Sequence, residues 1–79
     1  MTLIDLSVFH NGQAKLAEAD KYIQLTRDQV TDGADVVLTG NGPIWLYLKI
    51  AHDLHGRAKS LRYRSPVTGD VMIFDHDPF

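Results

Sequence analysis

The sequence predicts one small α/β domain spanning residues 1–79, with the order strand, helix, strand, helix, strand, strand. Three observations carry that prediction. The run "DVVLT" (35–39) is β-branched and uninterrupted, as expected of a buried strand. It breaks at Gly40-Asn41-Gly42-Pro43 and passes into an amphipathic helix that Gly56 stops. Two further strand-like runs close the chain around the turn "PVTGD" (66–70), so a β-hairpin is expected at the sheet's edge.

Each element has its own reason. "TLIDLSVF" (2–9) alternates Leu3, Asp5 and Ser7 with Ile4, Leu6 and Val8, and reads as a strand. After it, two conformations compete. Asn11-Gly12 is a hairpin turn signal, which would make 14–19 a second strand. "QAKLAEADKYI" is instead rich in helix formers, with Leu16, Ala19 and Ile23 at helical spacing and Asn11 placed to cap. The helix, over about 13–23, is the favoured conformation, and the polar "TRDQVTDGA" (26–34) is expected to be a loop. Pro43 suits the first position of the next helix, where its missing N–H is not needed. That helix is expected to run to His55. "AKSLRYRS" (58–65) reads as a strand, and "VMIFDH" (71–76) as a last strand that is apolar on both faces and therefore expected to be buried.

The helix after the glycine turn is informative about partners. At about 100° per residue, Ile44, Tyr47, Ile50, Ala51 and Leu54 share one face and should pack on the sheet. Lys49, His52 and Asp53 face the other way, and Trp45 falls in line with them. A tryptophan on a polar stripe needs a cover, either a second subunit or, less favoured, a flat ligand base.

Composition bounds the function. A chain of 79 residues makes one domain that buries only about 60% of its unfolded surface, so self-association is expected to help it. There is no cysteine, which excludes disulfides and thiolate metal sites. No apolar run approaches the roughly 20 residues of a membrane span, and "MTLIDLSVFHNG" has no basic leader, so a cytoplasmic location is expected. A net charge of −2 argues against a duplex DNA partner. Arg57, Lys59, Arg62 and Arg64 fall close together, which suits either a compact anionic ligand or a solvated strand face.

The candidate site begins at the glycine turn. In an open α/β sheet, ligands bind beyond the carboxyl ends of the strands, where a helix N-terminus offers N–H groups to an anion. Glycines let the backbone approach such a ligand, although the same turn could simply join strand to helix. His52 and His55 lie three residues apart at the helix's far end, and His76 sits beside Asp75 near a strand end. Imidazole and carboxylate suit a divalent metal. Without a third positioned ligand, each of these histidines taken alone is better explained as a surface residue.

"GNGPIWLYLKIAHDLHG" (40–56), followed by a Tyr, a Pro-x-x-Gly turn and a strand ending in His, resembles a family of small CRISPR-associated proteins of type III systems. These are the stand-alone ring nucleases, whose fold is related to the CRISPR-associated Rossmann (CARF) domain. Gly40, Gly42, Pro43, Ile44, Trp45 and Leu46 match the family's first motif. Ala51, His52 and His55 match the second. Tyr63, Pro66 and Gly69 match most of the third, and His76 the last.

The resemblance implies a small Rossmann-like sheet that binds cyclic tetra-adenylate, the messenger of an activated type III complex, and cleaves it to linear products. It also implies a homodimer, a ligand-induced tetramer in which two dimers sandwich the ring, and manganese as cofactor. On these motifs Thr39, Gly40, Asn41, Gly42 and Pro43 would hold the ring's phosphates, with Trp45 and His52 as further ligand contacts. His55, Arg64 and Ser65 would serve cleavage, with His55 and His76 as metal ligands. The chain departs from the family pattern at two places. Ser65 stands where the family has Asp, and Val67 where it has Arg. Arg64 could supply the lost cation, and Asp70 or Asp75 the lost carboxylate. A metal-independent route, in which the RNA's own 2′-hydroxyl attacks, is the alternative chemistry. A non-catalytic sensor or sponge that signals by oligomerising is the alternative function.

Overall fold

A computed structural model of the chain describes residues 1–9 and 14–76. The elements are β1 (Thr2–Asp5), a 3₁₀ turn (Leu6–Phe9), a second 3₁₀ turn (Leu16–Glu18), α1 (Ala19–Gln29), β2 (Asp35–Thr39), α2 (Ile44–Leu54), β3 (Ser60–Ser65) and β4 (Gly69–Asp75). They form a small mixed α/β fold with one four-stranded sheet in the order β1-β2-β3-β4. β1, β2 and β3 are parallel, and β4 returns antiparallel to β3.

Both crossovers move the same way across the sheet. Right-handed connections of that kind put both helices on one face. The core agrees: Ile4, Leu6, Val36, Leu38 and Leu61 from the sheet side meet Tyr22 of α1 and Leu46, Ile50 and Leu54 of α2 in one cluster. Arg27 of α1 grips Asp53 of α2 with Nε and Nη2, locking the helices together. The opposite sheet face carries the cross-strand row Leu3–Val37–Arg62–Met72. No helix covers it among the described residues, so the fold has two layers.

Several sequence expectations need correction. The strand expected at 2–9 stops at Asp5, whose carboxylate accepts the Ser7 amide at 2.9 Å and turns the chain. The helix expected at 13–23 is shifted to Ala19–Gln29, so residues 26–29 of the expected loop are helical. Thr26 is buried there and donates its hydroxyl to the Tyr22 carbonyl at 3.0 Å, a local bond that hides its polarity. The Asn11 cap, the Asn11-Gly12 turn and the start at residue 13 lie outside the described residues.

In α2, Pro43 is the N-cap rather than the first helical residue. Leu46 takes the core position expected of Ile44, which is 79% exposed. Trp45 is half-buried against the core and does not lie on a bare polar stripe. β3 begins at Ser60 rather than 58, and β4 at Gly69 rather than 71. β4 is at the edge as expected, but it is not buried: Val71, Met72 and Ile73 are 43%, 44% and 50% exposed. A bulge opposite Leu61/Arg62 leaves Met72 on the helix-free face, with Phe74 paired to Leu61. Among the described residues no helix is long and apolar enough to cross a membrane.

Candidate functional site

The C-terminal end of β2 delivers Thr39 and Gly40 to the top of the sheet. Gly40 has φ +101°, a left-handed conformation that side chains rarely adopt. A Cβ there would collide with Asp5 Oδ1 and lie 2.8 Å from Ser7 Oγ. The glycine is therefore demanded by the close approach of the β1 turn. Ser7 Oγ accepts the Asn41 amide at 3.1 Å and donates to Asp5, so the turn is pinned to the end of β1. The Ser7 hydroxyl and amide hold the Asp5 carboxyl below the ordinary carboxylate range. From α2, Tyr47 reaches back and donates its hydroxyl to the Gly40 carbonyl at 2.8 Å. Burial pushes the Tyr47 phenol up, which keeps it a donor.

Gly42 differs. Its φ is not left-handed, and a Cβ would meet Tyr47, Leu46 and Leu6 at 3.6–3.7 Å, ordinary contact. The fold does not require glycine there. No side chain caps the start of α2 beyond it, so the helix N-terminus opens at this turn.

β3 brings Arg64 and Ser65 to the same end. Thr39, Gly40, Arg64, Ser65, Pro66, Gly69 and Asp70 line one open depression of about 510 Å³. Arg64 donates Nε to Asp70 Oδ1 at 2.8 Å and Nη2 to Oδ2 at 3.2 Å, a bidentate pair. The pair raises the Arg64 guanidinium and lowers the Asp70 carboxyl. Asp70 thus stands in the depression, whereas Asp75 pairs with Ser60 at the far end of β4. Ser65 Oγ accepts the Val67 and Thr68 amides at 3.1 and 3.3 Å and caps the hairpin turn. An aspartate carboxylate can make the same bonds.

The histidines are elsewhere. His55 closes α2 as its C-cap, and its ring lies 4.6 Å from that of His76 and 5.2 Å from that of Phe74. His76 is anchored by its amide to the Lys59 carbonyl at 2.8 Å. His52 is exposed and borders a separate hollow with Asp32, Asp53, Gly56 and Arg57. The eleven residues of α2, about 16 Å of helix, separate the glycine turn from His55. One chain therefore joins Thr39, Gly40, Arg64 and Ser65 in one place, and His55 with His76 in another. The basic cluster also disperses. Arg57 sits 3.7 Å from Asp53 at the lower end, Arg64 pairs with Asp70 at the upper end, and Arg62 lies on the helix-free face. No group of three His, Cys, Asp or Glu among the described residues could hold a metal ion.

Reasoning from the sequence missed Asp5 and Ser7, which fix the glycine turn. Their spacing at a strand's end, Asp-x-Ser, is the one available signal.

A family model described as CRISPR-associated protein (Cas_csx3) matches residues 10–78, which include the glycine turn, α2, β3, β4 and both ends of the sheet. The chain belongs to this CRISPR-associated family. No curated protein and no solved structure matches the chain. The Cas_csx3 match begins after β1, so Asp5 and Ser7 lie outside it.

Proposed function

We propose that the protein binds cyclic oligoadenylate, cyclic tetra-adenylate in the first instance, and cleaves it to linear products, so ending a type III CRISPR signal. One observation carries the reading. In a chain of a CRISPR-associated family, Thr39 and Gly40 line one depression with Arg64 and Ser65 at the carboxyl end of a parallel sheet, and the chain runs on from Gly40 through Gly42, which lines the neighbouring apolar cleft, to the uncapped N-terminus of α2. That is where an α/β fold receives anions.

The residues divide the work. Gly42 and the first turn of α2 present backbone N–H groups to a phosphodiester. Arg64 uses Nε and Nη2 on Asp70, so its Nη1 side is available to a phosphate oxygen. In the proposed cleavage, the ribose 2′-oxygen attacks the neighbouring phosphorus and the P–O5′ bond breaks. A 2′,3′-cyclic phosphate and a 5′-hydroxyl result. His55, with His76 beside it, takes the proton from the 2′-hydroxyl or returns one to O5′, and a second copy of the chain supplies it, because α2 separates it from Arg64 within one chain. Arg64 offsets the charge that builds on the phosphorane.

A specific observation favours the non-catalytic sensor as second reading: His55 and Ser65 lie at opposite ends of one chain, and the Ser65 hydroxyl is engaged in its turn. Incubation of the protein with cyclic tetra-adenylate, with manganese and with chelator, decides. Linear products in either arm support the enzyme. Tight binding of an intact ring in both arms supports the sensor, and no binding removes both.

A further inference from the structure

The closing hairpin puts two opposite charges into the depression at the top of the sheet. Arg64 and Asp70 are direct cross-strand partners, next to the Ser65–Gly69 pair that opens the turn. Among the described residues that line the depression they are the charged ones; Thr39, Gly40, Ser65, Pro66 and Gly69 are neutral. The guanidinium and the carboxylate therefore cancel. The bordering charges offset each other as well. Arg62, two residues before Arg64 on β3, adds its attraction to Asp70. Asp5, opposite Thr39 on β1, has its carboxylate held at the glycine turn by the Ser7 amide.

The hydrogen bonds leave few groups for a ligand. Thr39 donates its hydroxyl to the Arg64 carbonyl at 3.4 Å. Ser65 Oγ accepts two turn amides and keeps its proton to donate. Arg64 commits Nε and Nη2 to Asp70 and keeps its Nη1 edge. The depression thus offers one cationic edge and one hydroxyl, with no net charge behind them.

One such edge matches one negative charge. A phosphodiester carries a single charge shared by two free oxygens. A terminal phosphate monoester carries about −1.5 to −2 at pH 7, and the sites that take it gather several cations. Here the second charge meets no further cation, and Asp70 stands on the other side of the same guanidinium.

We propose that Asp70 is a specificity-determining residue: by cancelling the Arg64 charge while leaving its Nη1 edge open, it makes the depression accept phosphodiesters and reject terminal phosphate monoesters. This rests on the reading in which Arg64 meets a phosphate oxygen, and it names the class of phosphate. A cyclic oligoadenylate qualifies at every phosphate. A linear oligoadenylate that ends in a phosphate monoester is excluded at that end. The size of the effect follows from Coulomb's law. A phosphate and a carboxylate on opposite edges of one guanidinium are about 6 Å apart, and in water each unit of ligand charge then changes affinity about threefold.

Adenosine 3′,5′-cyclic phosphate and adenosine 5′-phosphate test this, because they share base, sugar and phosphate and differ in charge. At neutral pH and low salt, titrations followed by the amide NMR signals of Thr39, Gly40 and Ser65 should show the wild-type chain binding the cyclic diester more tightly. Asp70→Asn keeps an acceptor for Arg64 and removes the charge. It should strengthen monoester binding about threefold more than diester binding. Asp70→Glu keeps the charge and should keep the wild-type preference. Circular dichroism checks that both variants fold, and the wild-type preference is a test that needs neither of them. Equal or tighter binding of the monoester by the wild-type chain would overturn the proposal. So would an Asp70→Asn variant with an unchanged preference, or one that only weakens both ligands, since Asp70 then does no more than position Arg64. A wild-type chain that binds neither ligand overturns it too. No ring is cleaved in these measurements: if cyclic tetra-adenylate is bound and cut while the preference is absent, this inference fails alone.

Discussion

Gly40 and Gly42 stand two residues apart and are glycine for different reasons. Gly40 has a left-handed φ and a Cβ direction blocked by Asp5 and Ser7. Gly40→Ala should destabilise the fold by about 2 kcal/mol or more in chemical denaturation. Gly42→Ala should be neutral, or stabilising by about 0.5 kcal/mol, because its Cβ meets only ordinary contacts. Gly42→Val should fold and yet lose affinity for cyclic tetra-adenylate in calorimetry; unchanged affinity removes the turn from the site. The G-x-G pattern alone could not separate these roles, because the neighbour that crowds Gly40 comes from a distant strand. Arg64 and His55 should also part company. Arg64→Ala should cost both binding and rate, since it meets phosphate in ground and transition states alike. His55→Ala should lower single-turnover cleavage by about two orders of magnitude with affinity little changed. Ser65→Asp keeps the turn's bonds, so a change in manganese dependence on that substitution would report the carboxylate itself.

At the scale of elements, the lock between α1 and α2 is a pH-dependent contact. The Arg27 hydrogen bonds, with Arg57 and His52 adding smaller attraction, hold the Asp53 carboxyl below its ordinary 3.8. A depressed folded pKa contributes stability above 3.8 that is lost as pH falls through the folded value. Arg27 is 38% exposed, so solvent screening keeps the contribution small. Thermal melts of wild type and Asp53→Asn should differ near neutral pH and converge below the ordinary carboxylate range; a constant gap contradicts this. β2 and α2 were legible from local chemistry, a β-branched run and a Gly-Pro start. α1 was displaced because its last turn is polar, and its burial depends on Tyr22 packing against the sheet. β4 was placed at the edge correctly but misread as buried, because an apolar composition on both faces does not say whether the chain's own elements cover it.

For the whole molecule, the element order α/β was readable, but the sidedness was not. Strand order and crossover direction put both helices on one face, and the sheet then carries the glycine turn and the histidines at opposite ends. The sequence motifs therefore name a site that one chain does not assemble. The central claim is that two copies assemble it for cleavage of cyclic tetra-adenylate. Mixing two inactive variants tests this most directly. Arg64→Ala lacks the upper half and His55→Ala the lower half. In a mixed dimer, one of the two sites draws its intact Arg64 and intact His55 from different chains. After re-equilibration at equal amounts, cleavage should return to about a quarter of the wild-type rate, since half of the dimers are mixed and each has one intact site. A mixture no more active than its parts would contradict the account.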